Sequence, residues 1–161
     1  MKILAASDLH GDVGFASELA QHALDNQVDL VILCGDIGHA LQVPQRIIGP
    51  FVSLGKKVLL VPGNHDSFAT ADFLASLYGV TNLHDNTAVY DGIALFGCGG
   101  ALSGPNCISD QDIFDILHRS HHKVSQFSKR IVVCHNHPAS SFMSGMTPFV
   151  AGSMGLFEHI T

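Results

Sequence analysis

Residues 30–34 read Leu-Val-Ile-Leu-Cys and residues 58–61 read Val-Leu-Leu-Val. Runs this short and this uniformly apolar suit strands covered on both faces, as in parallel sheets flanked by helices. The segments between them support that reading. Residues 2–6 read as a further short strand, and residues 15–26 carry Phe15, Leu19 and Ala23 at helical spacing. A helix is expected over residues 47–54, within limits set by Pro44 and Pro50, and another over residues 73–78, closed by Gly79. Asp91-Gly92 between residues 87–90 and 93–97 predicts a tight hairpin. Ser109 followed by Asp112 opens a capped helix, and residues 130–134 form a last visible buried strand. Residues 136–152 show no regular pattern, and Ser153 is expected to cap a final helical stretch. The order βαβαβα, hairpin, α, β defines an α/β layered fold in one domain, its first three strands parallel and joined by right-handed crossovers.

The totals narrow the function classes. The chain has 161 residues and a formal net charge of -6, which disfavours a long nucleic-acid backbone as partner and leaves a small phosphate ester or nucleotide. No apolar run reaches the roughly 18 to 20 residues of a membrane helix, despite a mean hydropathy of +0.29. The four cysteines, Cys34, Cys98, Cys107 and Cys134, form no CxxC pair. They read as free thiols in a reducing cytoplasm. Eleven histidines against eight Lys plus Arg lean toward metal binding.

The polar residues collect where the strands end. Asp8 and His10 follow the first strand, Gly35 and Asp36 the second, Gly63-Asn64-His65-Asp66 the third, and His135 the last visible one. Ligands of α/β sheets gather outside the carboxyl ends of strands. Asp8 and His10 in extended conformation would point to one face. Each motif alone reads as a turn former, a cap or a core histidine; four at matching positions point to a shared site. Asp, His and Asn ligands suit Mn, Fe, Zn or Ni better than Ca. A two-metal centre needs a bridging carboxylate, and Asp36, central in the strand order, is the candidate.

The motifs SDLHGD, GDIG, PGNHD and CHNHP resemble those of the calcineurin-like metallophosphoesterases. IALFGCGGAL, ISDQDIFDIL and AGSMGLFEHI extend the resemblance, toward a small prokaryotic subgroup, over nearly the whole chain. It implies a β-sandwich flanked by helices and hydrolysis of phosphomonoesters or phosphodiesters. It also implies two divalent transition-metal ions with a bridging hydroxide that attacks phosphorus in line. Carried over, one ion takes Asp8, His10 and Asp36; the other takes Asp36, Asn64 and His135. His65 would protonate the leaving oxygen or steady the phosphoryl group, and Asp66 would orient His65.

One departure stands out. The family's closing Gly-His-x-His, which gives one ligand to each ion, has no counterpart here. Three accounts are open: a C-terminally incomplete chain lacking its last helix-strand unit, a natural short form with weak or single-metal occupancy, or a partner chain in an oligomer that supplies the ligands. His137 competes with His135 for the ligand role; His135 is preferred because it directly ends the strand. His137 and His159 are also candidate substitutes for the missing pair. The rival functions are a catalytically silent metal-binding or scaffold module and, third, a metal-free Rossmann-like nucleotide binder. Cys34 and Cys134 are expected to be small buried hydrophobes. His118, His121 and His122 are expected at a solvated helix end.

Overall fold

A computed structural model describes residues 1–39 and 46–139. The first half is a repeated strand-helix unit: β1 (Ile3–Ala6), α1 (Val13–Asp25), β2 (Leu30–Cys34), α2 (Gly49–Ser53), β3 (Lys57–Val61), α3 (Phe68–Tyr78) and the two-residue β4 (Thr81–Asn82). The second half comprises β5 (Thr87–Tyr90), β6 (Ile93–Cys98), α4 (Asp110–Lys123) and β7 (Lys129–Cys134). β1 to β4 form one sheet in chain order, parallel throughout, as expected for its first three strands. The second sheet has the order β5-β6-β7, antiparallel across the hairpin and parallel between β6 and β7.

The two sheets face one another. Leu30, Ile32, Leu59 and Val61 of the first pack with Leu95 and Val133 of the second around Leu83. The opposite faces are covered by helices. Ala16, Ala20 and Ala23 of α1, Phe51 of α2 and Ala71 and Leu74 of α3 pack onto Val31, Leu33, Val58 and Leu60. Ile113, Ile116 and Leu117 of α4 pack onto Ala94, Phe96 and Cys98. β2 and β3 therefore have apolar contacts on both sides, and this is why their sequences lack polar alternation. Burying each such Leu or Ile contributes roughly 1.5–3 kcal/mol. The result is the expected α/β sandwich flanked by helices.

Local chemistry sets the element ends. Asp12 accepts from Phe15 N at 2.9 Å, Ser67 from Thr70 N at 3.0 Å and Ser109 from Asp112 N at 3.1 Å, each capping a helix start. Ser109 Oγ also donates to Asp112 at 2.5 Å. Gly79 ends α3 in the left-handed conformation (φ 63°), and Asp91 and Gly92 turn the hairpin with φ 49° and 72°. Three expectations need correction. The second helix is shorter than residues 47–54, because Pro50 sits in its first turn. The third starts five residues before 73, at the Ser67 cap. His121 is not simply solvated: its ring stacks on Phe96 at 5.6 Å and one nitrogen pairs with Arg130 at 2.6 Å.

Cys34 and Cys134 lie partly buried at the ends of β2 and β7, and burial pushes both thiols up, that of Cys134 to about 12. Among the described residues no helix is long and apolar enough to cross a membrane. The expected final helix from Ser153, His159 and most of the unpatterned stretch from residue 136 lie outside the described residues.

Candidate metal centre

β1, β2 and β3 are parallel neighbours, so the turns that follow them lie side by side. Backbone hydrogen bonds join the first two: Asp8 N donates to Gly35 O at 3.0 Å, His10 N to Asp36 O at 2.9 Å and Gly11 N to Ile37 O at 2.9 Å. The third is tied to the second through the carboxylates of Asp36 and Asp66. The chain does not continue extended through these turns. Asp8, His10 and Asp36 have φ of 60°, 45° and 51°. The extended Asp8-x-His10 geometry expected from strand periodicity is thus replaced by left-handed residues. Asp and His tolerate that region better than most side chains do. Such strain persists where surrounding structure holds it, often at a functional site.

The twist still brings the three side chains together. One ligand atom from each of Asp8, His10 and Asp36 lies within 4.8 Å of the others. His10 Nε2 is 3.8 Å from Asp8 Oδ1 and 3.8 Å from Asp36 Oδ2. On the other side of Asp36, Oδ1 is 3.6 Å from His135 Nε2. Asn64 Oδ1 is 3.1 Å from the same nitrogen. The Asp36 carboxylate, only 3% exposed, therefore presents one oxygen to each of two imidazoles. Gly63 makes room for it, since a Cβ there would run into the Asp36 carboxylate and amide.

The donor set fits divalent metal ions. His135 Nδ1 donates to Cys34 O at 2.9 Å, the kind of outer bond that orients a metal-bound histidine. Its Nε2 is thereby left facing Asn64 Oδ1 at 3.1 Å and Asp36 Oδ1 at 3.6 Å, so three ligand atoms come together there. His10 turns its Nε2 to both carboxylates, and its other ring nitrogen, Nδ1, is buried without a hydrogen-bond partner among the described residues. The separations of 3.6–3.8 Å exceed a hydrogen bond. They match the roughly 3.4 Å between two ligands each about 2.1 Å from a shared ion at a tetrahedral angle.

His65 stands beside this cluster. Its backbone N–H donates to Asp36 Oδ1 at 2.9 Å, and its ring meets the His10 ring edge-on at 5.4 Å. Asp66 is placed otherwise than expected. Its carboxylate, 3% exposed, accepts from the backbone amides of Ile37 (2.9 Å), Gly38 (2.8 Å) and Gly63 (3.0 Å). None of these bonds goes to the His65 ring. Adjacent side chains in the turn diverge, and the carboxylate points inward, where three buried donors need an acceptor. His137 Nδ1 pairs with Pro138 O at 3.0 Å, while His135 faces the cluster.

Two contributors escaped the sequence reading. His39 stacks on His10 with ring centroids 5.4 Å apart. Asn106 donates through both its backbone N and its Nδ2 to Asn64 O, each at 3.1 Å. The GDIGH run placed His39 one turn past Asp36 and could have flagged it; Asn106 carried no local signal.

Comparison with known proteins agrees with this fold. TT1561 of Thermus thermophilus is similar in structure, with a TM-score of 0.79 at 18% identity, covering 98% of this chain and 75% of that one. A second solved structure is similar with a TM-score of 0.66 at 16% identity, covering 98% of this chain and 78% of its own. Both are likenesses of fold. No curated protein sequence matches the chain. The family model described as calcineurin-like phosphoesterase matches residues 1–152, a span containing every residue of the cluster. The chain belongs to the calcineurin-like phosphoesterases, a family of metal-dependent phosphoester hydrolases.

Proposed function

We propose that the chain hydrolyses small phosphate esters, monoesters or diesters, at a centre of two divalent transition-metal ions joined by Asp36. The observation that carries this reading is the buried carboxylate with one oxygen turned to His10 and the other to His135. Asp8, His10 and Asp36 would hold the first ion, and Asp36, Asn64 and His135 the second. Imidazole, carboxylate and amide oxygen donors suit Mn, Fe, Zn or Ni. When bound, such ions lower the pKa of water and neutralise charge developing on the phosphoryl oxygens.

The chain's own groups do the rest. The three ligand turns, fastened by backbone hydrogen bonds between the first two and by carboxylate–amide bonds between the second and third, hold the donors in place before substrate arrives. His65 donates a proton or hydrogen bond to the leaving-group oxygen. Asp66 supports this indirectly: by gathering the amides of Ile37, Gly38 and Gly63 it fixes the two turns that carry Asp36 and His65. With two cations held there the site would be electropositive within an acidic protein and would draw an anionic ester without a basic surface.

The test is hydrolysis of bis-p-nitrophenyl phosphate and p-nitrophenyl phosphate with added manganese. His65→Ala is expected to cost about 10²-fold in kcat while manganese binding persists. Metal binding by the parent chain with no turnover of either ester would favour a silent metal-binding module instead.

A further inference from the structure

We propose that residues 101–108 form a clamp for the second ion's ligand pair, with Asn106 as its positioning residue. The inference rests on the assignment of Asn64 and His135 to that ion. The loop touches both of the turns that carry these ligands. Asn106 donates two hydrogen bonds to the backbone carbonyl of Asn64, from N and from Nδ2, each at 3.1 Å. That carbonyl is thereby tied by both of its lone pairs, and the turn is held at the ligand residue itself.

The loop also sets the side chain. Gly104 has φ 110° and lies against the Asn64 amide; a Cβ at 104 would collide with Nδ2 and sit 2.9 Å from Cγ. With Nδ2 backed onto the loop, Oδ1 is turned toward His135 Nε2. At the other end, Leu102 N donates to Asn136 Oδ1 at 3.3 Å, in the residue that follows His135. The loop is closed on itself by Ile108 N to Ala101 O at 3.0 Å and by Cys107 Sγ to Gly104 O at 2.8 Å. One short, internally braced segment thus sets the orientation of Asn64 and the spacing between the Asn64 and His135 turns. The first ion's ligands, Asp8 and His10, have no such bond to it among the described residues.

The experiment is calorimetric titration of the metal-free full chain with Mn²⁺, alone and as Asn106→Ala, Gly104→Ala and Asn64→Ala. The parent is expected to take up two ions, and Asn64→Ala to lose the weaker one. Asn106→Ala should weaken that same step roughly tenfold, the scale for groups that orient a ligand, with the first step unchanged. Gly104→Ala should weaken it further, since its methyl displaces the amide. The melting temperature of the metal-free Asn106→Ala chain reports its folding, and a shift of only a few degrees is expected. Two ions in the parent, one in Asn64→Ala and parental affinities in Asn106→Ala would overturn the clamp and leave the metal assignment standing. A parent that binds a single ion, unaffected by Asn64→Ala, would overturn the assignment and the clamp with it.

Discussion

Asp36→Asn is expected to lower hydrolysis of bis-p-nitrophenyl phosphate about 10⁴-fold, taking about 10² for the charge stabilisation each cation supplies. The metal-free fold should be at least as stable as the parent. Asparagine keeps the shape and can still accept from His65 N through its oxygen. It removes a negative charge from a position that is 3% exposed. In the metal-free chain that charge has one backbone amide and two imidazole edges for company. A buried carboxylate held by a single hydrogen bond adds little to the metal-free fold and is retained for its function. Activity should therefore fall with no loss of stability, which a merely structural aspartate would not produce. Steady-state kinetics and urea unfolding of the metal-free protein measure the two; activity within tenfold of the parent would refute the assigned role.

Asp66→Ala should have the contrary profile. It leaves three buried amides, those of Ile37, Gly38 and Gly63, without an acceptor. Unpaired buried donors cost about 1–3 kcal/mol each, and bonds to a carboxylate are the stronger kind. A loss of about 4 kcal/mol in unfolding free energy is expected, a large share of the roughly 5–15 kcal/mol a domain possesses. Chemical denaturation of the metal-free chain measures it. If Asp66 instead served chiefly to orient His65, stability would hardly change while turnover fell.

The contrast between these two aspartates marks where the sequence is informative. Both follow a buried strand, and nothing in GDIG or PGNHD distinguishes a carboxylate that faces ligands from one that faces amides. Strand ends are legible because β2 and β3 are covered on both faces and so read as unbroken apolar runs. The hairpin was legible because Asp91-Gly92 has few other uses. β4 was not, because two residues are too few to show a period. The first turn of α3 was hidden because its Ala-Thr-Ala-Asp stretch lacks an apolar stripe, although Ser67 and Thr70 carry the cap. The left-handed turns at Asp8 and His10 depend on hydrogen bonds to Gly35 and Asp36, more than twenty residues away. The hold of Asn106 on Asn64 spans 42 positions, and no local pattern encodes it.

The central claim is that Asp36 joins two metal ions gathered from separate strand ends. Anomalous diffraction at the manganese edge, from crystals grown with Mn²⁺, tests it directly. Two peaks about 3.5–4 Å apart are predicted on either side of the Asp36 carboxylate, one reached by Asp8 and His10 and the other by Asn64 and His135. A carboxylate with no peak beside it, or one peak at Asp8 and His10 with nothing between Asn64 and His135, would contradict the account.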